Sequence, residues 1–377
     1  MPMWIRTASM DRHRGSGEEV WTARDNEHGQ ERDYTVQVRI GKSIDILALK
    51  LNVMSAFDAQ VSEIRDSRRS VYESVDTECL EHCPICRSST STSEFQLSVY
   101  GGRYHQCADC SHCFIINPCR QAHLDAFYAS NTHFASTYTD PRITETRVQQ
   151  VARPKAEWLV EQFSRRYGRA PRQVLDVGAG GGHFVHACRQ LGLEADGLEL
   201  SEASRAFCKT TFGFELQAID VTRERLVGTA PEVVTFWNVL EHVSDPMRML
   251  AAVRRILPAP EAMVIVEVPR WNCLTTGVQR GFPETVVRHL DPLAHINFFT
   301  DSSLATAFEA SGFAPAAAWY FGMDAYELIL QLSYCTSSNG QLVIESLGRH
   351  IPVLQQAVDL QRGSDAIVLA GTAIESS

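Results

Sequence analysis

Residues 174–184 have the sequence Val-Leu-Asp-Val-Gly-Ala-Gly-Gly-Gly-His-Phe, and the organisation of the whole chain follows from them. The apolar first part is typical of a buried strand, and Phe184–Leu191, after the glycines, is predicted to be a helix. Glycines allow backbone N–H groups to approach a ligand that a Cβ atom would obstruct. The start of a helix adds unpaired N–H groups and a positive dipole end. The stretch therefore predicts a nucleotide-type site at the carboxyl end of a parallel sheet.

The spacing of the glycines indicates which kind of nucleotide ligand the loop can bind. A dinucleotide fingerprint, Gly-x-Gly-x-x-Gly/Ala, that begins at Gly178 would end at His183. One that begins at Gly180 would end at Val185, so the loop does not predict NAD or FAD. Residues 176–182 fit the pattern Asp-x-Gly-x-Gly-x-Gly instead. This pattern resembles the first motif of class I S-adenosylmethionine (SAM)-dependent methyltransferases.

An acid after the second predicted strand supports this resemblance. Residues 194–200 are predicted to form that strand, and Glu199 lies about 20 residues beyond the first loop glycine, where a ribose-binding acid is expected. Its carboxylate could accept hydrogen bonds from both ribose hydroxyls. The alternative is a surface acid without a ligand. By resemblance, Asp220, after a short third strand predicted at Phe214–Ala218, would meet the adenine amino group.

A further motif follows the fourth predicted strand, Val233–Trp237. The sequence from Asn238 to His242, Asn-Val-Leu-Glu-His, resembles the superfamily motif that lines the methyl-donor pocket. Metal-dependent phenol O-methyltransferases of this type carry an acid at the position of Asn238, and its absence argues against a catalytic divalent ion. The resemblance implies a cofactor-binding set that consists of Asp176, Gly178, Ala179, Gly180, Gly182, Glu199, Leu200, Asp220, Asn238 and Val239.

Composition and charge limit the class of protein. Hydrophobic residues make up 44% of the chain and charged residues 21%, as in an ordinary globular protein. The net charge of −10 argues against a broad nucleic-acid surface and against a nucleic-acid partner, although it is compatible with a local basic patch. No apolar run approaches the roughly 20 residues that span a bilayer, and the first residues lack the apolar segment of a secretory signal. We therefore expect no membrane association and a cytoplasmic location.

Six of the 11 cysteines lie between Cys79 and Cys113. Two Cys-x-x-Cys pairs, about 20 residues apart, have the spacing of a tetrahedral four-thiolate Zn²⁺ site. The predicted ligands are Cys83, Cys86, Cys107 and Cys110. A strand predicted at residues 94–100 and the Gly101-Gly102 turn complete a zinc ribbon. Four protein ligands leave no open coordination position, so the zinc is predicted to be structural.

The predicted fold is α/β, a Rossmann-like seven-stranded class I methyltransferase sheet preceded by a small β zinc ribbon. Strands five, six and seven are expected at residues 262–268, 313–320 and 365–371, with helices at 325–332 and 343–359 before the last strand. Four regions are predicted: an uncharacterised, partly disordered N-terminal extension (1–75), the zinc ribbon (76–120), a connector or lid (121–153) and the SAM-binding methyltransferase domain (154–377).

One short motif in the N-terminal region matches only part of a known phosphate-binding pattern. Gly41-Lys42-Ser43 resembles the end of a phosphate-binding P-loop. The pattern requires a glycine at the position of Val36, so we predict a turn between two apolar segments instead.

Residues 1–34 are polar and are predicted to be disordered, Thr35–Ile40 alternates like a strand, and Ile44–Met54 could be a strand or a helix. We assign no function to residues 1–75.

Methyl transfer to a hydroxyl, an amine or an enolisable carbon requires a base that removes a proton. Histidine suits this role near neutral pH. The candidates are His295 and His242, followed by Glu241 and His289. The alternative role for His242 is packing or capping beside the cofactor pocket. A zinc ribbon, a class I core and a long His-containing loop after the fifth strand together resemble bacterial sugar and small-molecule C-methyltransferases.

The predicted function is SAM-dependent methyl transfer to a small-molecule acceptor, such as a sugar nucleotide or a secondary metabolite. One alternative is a SAM-binding protein without turnover that acts as an interaction module. Another is an RNA methyltransferase whose ribbon holds RNA. The hydroxyl-rich segment Ser88–Ser98 contains no lysine, which argues against RNA.

Overall fold

The structure is a computed structural model that describes residues 2–5, 16–25, 30–44, 46, 49, 57–74, 77–120, 123, 139–224, 226, 230–257, 261–336 and 339–374. The strands are β1 (Pro2–Ile5), β2 (Gly17–Asp25), β3 (Glu31–Ile40), β4 (Glu94–Val99), β5 (Gly102–Gln106), β6 (Cys113–Ile115), β7 (Gln173–Val177), β8 (Glu194–Leu198), β9 (Val233–Trp237), β10 (Met263–Pro269), β11 (Asn297–Phe298), β12 (Phe313–Phe321) and β13 (Ala366–Ala373). The helices are α1 (Phe57–Ser74), α2 (Thr144–Arg147), α3 (Arg153–Tyr167), α4 (His183–Gln190), α5 (Glu202–Phe212), α6 (Pro246–Ile256), α7 (Leu274–Gly281), α8 (Asp301–Ala310), α9 (Asp324–Cys335), α10 (Gly340–Leu347) and α11 (Ile351–Leu360).

The larger sheet has nine strands in the order β1-β2-β3-β12-β13-β10-β9-β7-β8. Strands β8, β7, β9 and β10 are parallel to one another. Strand β13 is antiparallel to both β10 and β12, so β12 runs in the direction of β10. Because β3 pairs in parallel with β12, the carboxyl ends of β3, β7, β9 and β10 lie along one edge. Ligands bind outside the carboxyl ends of such strands, and we call this edge the ligand edge.

Apolar side chains on both faces of the sheet hold the helices. On one face, Ile265 belongs to the same buried cluster as Phe163 of α3. On the other face, Val266 is buried with Leu250 of α6 and Phe308 of α8. Covering helices on both faces explain why β10 is apolar along most of its length. The predicted Rossmann-like α/β sheet is confirmed.

The N-terminal strands are a departure from the prediction. Disorder was expected for residues 1–34, and this prediction is wrong for β1, β2 and the start of β3, whereas the strand predicted at Thr35–Ile40 is confirmed as the rest of β3. Trp21 and Ala23 on β2, and Val36 and Val38 on β3, are buried in the main core. Alternation with period two gives these otherwise polar segments one apolar face. Most of the element predicted at Ile44–Met54, and residues 124–138 of the predicted connector, lie outside the described residues.

The third predicted strand is also corrected. Within Phe214–Ala218, only Gln217 forms a bridge with β8. Gly213 ends α5 in the left-handed conformation, with φ of 76°. Soon afterwards the Asp220 carboxylate accepts a hydrogen bond from the amide of Thr222 and closes a turn. Phe214–Ala218 therefore meets β8 at one residue pair and is not a full strand.

The other predicted core strands are confirmed with boundaries shifted by a few residues. The helix predicted at residues 343–359 is instead divided into α10 and α11 by a 3₁₀ turn, Gly348–His350. Pro352 occupies the first turn of α11, where it cannot continue a preceding helix. Among the described residues, no helix combines the length and the apolar character that crossing a bilayer would require.

The second sheet joins the cysteine ribbon to the loop that follows β10. Its strand order is β11-β6-β5-β4, and β11 lies far beyond the ribbon in the sequence. Asn297 pairs with Phe114, and Phe298 pairs with Cys113. The segment that carries His295, directly before β11, is therefore fixed against the ribbon.

Candidate active site

Three glycines of the loop between β7 and α4 have a backbone conformation that other residues rarely adopt. The φ angles of Gly178, Gly180 and Gly182 are 75°, 52° and 80°. A Cβ atom on Gly178 would lie 2.6 Å from Cγ2 of Val239, so the loop packs closely on the segment after β9. The amide of Gly178 donates to the carbonyl oxygen of Leu198 at 2.9 Å, which holds the loop against the end of β8.

Glu199 follows β8 and is bonded to this loop. Its Oε2 atom accepts a hydrogen bond from the amide of Gly180 at 2.8 Å, and its Oε1 atom accepts one from the amide of Ser201 at 2.7 Å. The amide of Ala179 donates to the carbonyl oxygen of Leu198, directly before Glu199. Burial raises the pKa of the Glu199 carboxyl, and the backbone N–H groups oppose that rise. Each carboxylate oxygen has two lone pairs, so both can still accept a ribose hydroxyl.

Three other predicted cofactor residues, Asp176, Leu200 and Asp220, differ in their exposure to solvent. Asp176 is buried beneath the loop, where its carboxylate accepts a hydrogen bond from Oγ1 of Thr235 at 2.7 Å. Burial raises the pKa of Asp176 to about 7. Leu200, in contrast, is 64% exposed. Asp220 is half-buried and accepts hydrogen bonds from the amide and the hydroxyl of Thr222. Asp176 thus supports the loop from below, whereas Leu200 and Asp220 are accessible to a ligand.

Asn238 follows β9 with φ of 57° and is bonded to the neighbouring strand. Its side-chain amide donates to Oε1 of Glu267 at 2.9 Å, and its backbone amide donates to the Glu267 carbonyl oxygen at 3.0 Å. The Oε2 atom of Glu267 lies 2.6 Å from Nζ of Lys155, and both side chains are 7% exposed. No sequence motif predicts the Lys155–Glu267 pair. Its one signal in the sequence is an acid within the apolar strand β10.

Two histidines present the same ring nitrogen to the site. The Nδ1 atom of His242 lies 2.6 Å from the carbonyl oxygen of Ala294, and Nδ1 of His295 lies 2.7 Å from the carbonyl oxygen of His289. A carbonyl oxygen only accepts hydrogen bonds, so each ring carries its proton on Nδ1 and its lone pair on Nε2. The ring centroids are 5.1 Å apart. Both imidazoles are thus oriented to accept a proton at Nε2.

The ionisation of these histidines is set by burial. Burial lowers the pKa of His242, and it lowers the pKa of His295 well below the ordinary value. The nearby imidazoles of His242 and His289 add to the effect on His295. Both rings are therefore neutral at neutral pH, which is the state that can accept a proton.

Glu241 completes the cluster. It is fully buried, and its two carboxyl oxygens form no hydrogen bond with any described residue. Its Oε1 atom lies 3.6 Å from Nε2 of His242, and burial raises the pKa of the carboxyl well above its ordinary value. Glu241, His242 and His295 each place one donor atom within 4.8 Å of the others, a spacing that permits proton transfer or a bound cation. A buried polar group without partners is costly, so the arrangement is typical of a functional site.

The four predicted cysteine ligands also come together. The Sγ atoms of Cys83 and Cys110 are 3.7 Å apart, and those of Cys86 and Cys107 are 3.5 Å apart. A tetrahedron with metal–sulfur bonds of about 2.3 Å has sulfur–sulfur edges of about 3.8 Å. All four side chains are buried, and their sulfur atoms lie within 4.8 Å of one another. The cluster can therefore hold a metal ion.

The fold and the site together define the class I SAM-dependent methyltransferases. A family model described as a methyltransferase domain matches residues 121–318, more than half of the chain. The chain belongs to this family.

Individual proteins that are similar to this chain share about a third of its aligned residues or fewer. The ubiquinone biosynthesis O-methyltransferase of Stutzerimonas stutzeri (strain A1501) is 32% identical over 104 residues, which are 26% of this chain and 43% of that protein. The alignment thus spans less than half of the relative's length. The enzyme of the same name from Bordetella avium (strain 197N) is 27% identical over 227 residues, 58% of this chain and 91% of that protein. A solved structure, magnesium protoporphyrin IX methyltransferase from Synechocystis PCC 6803 with bound SAH, has a TM-score of 0.43 and 13% identity over 67% of this chain and 99% of that one.

Proposed function

We propose that the protein transfers a methyl group from SAM to a small-molecule acceptor, and that the His242–His295 pair removes the acceptor's proton. Bound SAM supplies a methyl group that its sulfonium has already activated. The acceptor's oxygen, nitrogen or carbon bonds to the methyl carbon as the methyl–sulfur bond breaks, and the electron pair of that bond stays on the sulfur of S-adenosylhomocysteine (SAH). The acceptor's proton passes to Nε2 of a histidine.

One observation carries this proposal: the Nδ1 protons of both histidines are fixed by backbone carbonyls, which leaves Nε2 as the proton acceptor in each ring. This pair adjoins the donor site, because Val239, which contacts the loop glycine Gly178, lies in the same segment as His242. The carboxyl of Glu241 lies beside His242, and its ionised form would favour the imidazolium that forms when the proton arrives. Positioning of donor and acceptor accounts for most of the remaining rate enhancement.

We propose a sugar nucleotide or a secondary metabolite as the acceptor. The resemblance to bacterial C-methyltransferases supports this choice, and the relatives named as ubiquinone biosynthesis O-methyltransferases support a small metabolite in general. The net charge of −10 argues against RNA. The proposal also includes a cytoplasmic location, a separate connector at residues 121–153 and a structural Zn²⁺ on the four cysteines. Such an ion would stabilise a ribbon that is too small to fold on its apolar contacts alone.

Release of SAH tests the proposed reaction. The purified protein is incubated with SAM and fractionated small-molecule extracts, and SAM binding is measured separately by calorimetry. We expect His295→Ala and His242→Ala to lower turnover by about 10²–10⁴-fold, the usual contribution of general base catalysis, with SAM affinity retained. His350→Ala, a change to an exposed histidine, is the matched control.

Each alternative has its own result in this experiment. Full turnover in both histidine variants would place the base elsewhere. SAM binding without SAH release from any fraction would favour a binding module. Salt-dependent RNA binding in a gel shift would favour an RNA methyltransferase.

A further inference from the structure

Lysine is rare in this chain. Of the 35 basic residues only four are lysines, at positions 42, 50, 155 and 209, and the others are arginines. Lys50 lies outside the described residues, and Lys209 is an exposed residue paired with Glu215. Lys42 and Lys155, in contrast, both lie beside the carboxyl ends of core strands. Half of the lysines are thus concentrated at the ligand edge.

The N-terminal strand β3 places Lys42 there. Because β3 is parallel to β12, its carboxyl end reaches the same edge as the glycine loop and the histidine pair. Gly41 follows the strand with φ of 79°, and its amide donates to the carbonyl oxygen of Tyr320 at 2.7 Å. The indole N–H of Trp319 donates to the Gly41 carbonyl oxygen, also at 2.7 Å. The sheet therefore determines the position of Lys42.

Aromatic rings surround both ammonium groups. The Nζ atom of Lys42 lies 4.7 Å from the ring centroid of Phe321 and 5.7 Å from that of Trp319. It also donates to the carbonyl oxygen of Val151 at 3.4 Å. The Nζ atom of Lys155 lies 4.7 Å from the ring of Trp237. Such rings attract cations without neutralising their charge.

Lys42 differs from Lys155 in having no carboxylate bonded to its ammonium group among the described residues. The Glu267 carboxylate is already bonded to Lys155 and Asn238. Within the part of the chain that the structure describes, Lys42 forms no ion pair with a carboxylate. Burial and the charge of Lys155 lower the pKa of Lys42 to about 7. Lys42 is half-buried, and an ammonium withdrawn from water without a counter-charge is destabilising, a cost that a bound anion would reduce.

We propose that Lys42 and Lys155 form a subsite for an anionic group, a carboxylate or a phosphate, on the methyl acceptor. This proposal rests on the proposed methyl transfer, because it places the acceptor between the lysine pair and the histidine pair. Glu241 connects the two pairs: the charge of Lys155 acts on its pKa, and its Oε1 atom lies 3.6 Å from Nε2 of His242. An acceptor held by its anionic end at Lys42 would present its nucleophile to the histidines.

Residue-resolved lysine acylation tests the subsite directly, and with only four lysines the products are simple to assign by mass spectrometry. The full chain is saturated with SAH and treated with an acylating reagent in the presence of benzoate, phenyl phosphate or neutral benzyl alcohol. We expect at least one of the anions to slow acylation of Lys42 several-fold, with no effect of benzyl alcohol. Protection by benzoate alone identifies a carboxylate site, and protection by phenyl phosphate alone identifies a phosphate site. Lys209 is the internal control and should react at one rate throughout.

Two variants supply a second measurement. We expect Lys42→Gln to weaken calorimetric binding of the protecting anion at least tenfold and Lys42→Arg to retain most of it, with SAH affinity unchanged in both. Absence of protection by either anion, or equal slowing at Lys209, would overturn the proposal. The proposed methyl transfer fails separately, because a chain that does not bind SAH contradicts that function before any anion is added.

Discussion

The Oε2 atom of Glu199 accepts a hydrogen bond from the backbone amide of Gly180 at 2.8 Å. The acid that is expected to bind the ribose of SAM therefore also holds the glycine loop in its binding conformation. Both roles depend on one carboxylate. A substitution at Glu199 should therefore lower SAM affinity more than the loss of a single contact with the ligand would.

Replacing Glu199 should weaken SAM binding. We expect Glu199→Ala to reduce affinity at least tenfold, because a hydrogen bond to a charged group contributes about 1.5–3 kcal/mol. The SAM affinity of Glu199→Gln should lie between those of Glu199→Ala and the wild type. Glutamine keeps one oxygen that accepts hydrogen bonds, but its amide nitrogen cannot accept one. Calorimetry measures the affinity, and Glu202→Ala, at an exposed position in the first turn of α5, is the control. Unchanged affinity in Glu199→Ala would place the ribose partner elsewhere.

A methyl group on Gly178 should also prevent SAM binding. The added Cβ atom would lie 2.6 Å from Cγ2 of Val239, and the residue has φ of 75°. We expect Gly178→Ala to abolish measurable SAM binding in calorimetry and the double variant with Val239→Ala to recover part of it. Gly168→Ala is the matched control, because Gly168 has φ of 72° and no atom within 4 Å of its added Cβ. Wild-type affinity in Gly178→Ala would show that the loop does not contact the cofactor.

The parts of the site that could be predicted from the sequence are those encoded by local patterns. The glycines after β7, Glu199 after β8 and the Glu241–His242 pair after β9 each follow a core strand at short range. The carboxyl ends of neighbouring parallel strands meet at one edge, so order along the chain is enough to bring them together. The cysteine pairs are similar, because their spacing alone specifies a four-ligand site.

The parts that could not be predicted depend on pairing between distant segments. Strand β3 joins the sheet through β12, and Lys42 reaches the ligand edge only through this pairing. Strand β11 joins the ribbon and fixes His295, although its two residues have no strand signal of their own. Polar composition favoured disorder for residues 1–34, and burial of Trp21 and Ala23 against the core outweighed that local tendency.

The pH dependence of turnover should reflect the lowered pKa of the histidines. Burial places the pKa of His242 and His295 below the ordinary value of 6.5. The neutral base is then fully present above that pH, and it is lost only as the pH falls through the lowered pKa. We expect kcat/KM for a hydroxyl acceptor to be constant near neutral pH, with its acid limb centred below 6.5. An acid limb centred above 6.5 would contradict the assignment of these rings as the base.

The cysteine cluster should hold one zinc ion per chain, and its loss should affect the distant active site. The ribbon pairs through β6 with β11, so unfolding of the ribbon would release the segment that positions His295. We expect Cys86→Ser to contain less than one zinc by elemental analysis and to have a lower Tm, because structural zinc contributes directly to folding.

Turnover should fall with the metal content, whereas SAM affinity should change little, since the glycine loop lies on the other sheet. Cys335→Ser, at an exposed cysteine outside the ribbon, is the control. A folded wild-type chain without metal would contradict the zinc assignment, and full turnover in a metal-free Cys86→Ser chain would show that the ribbon does not position His295.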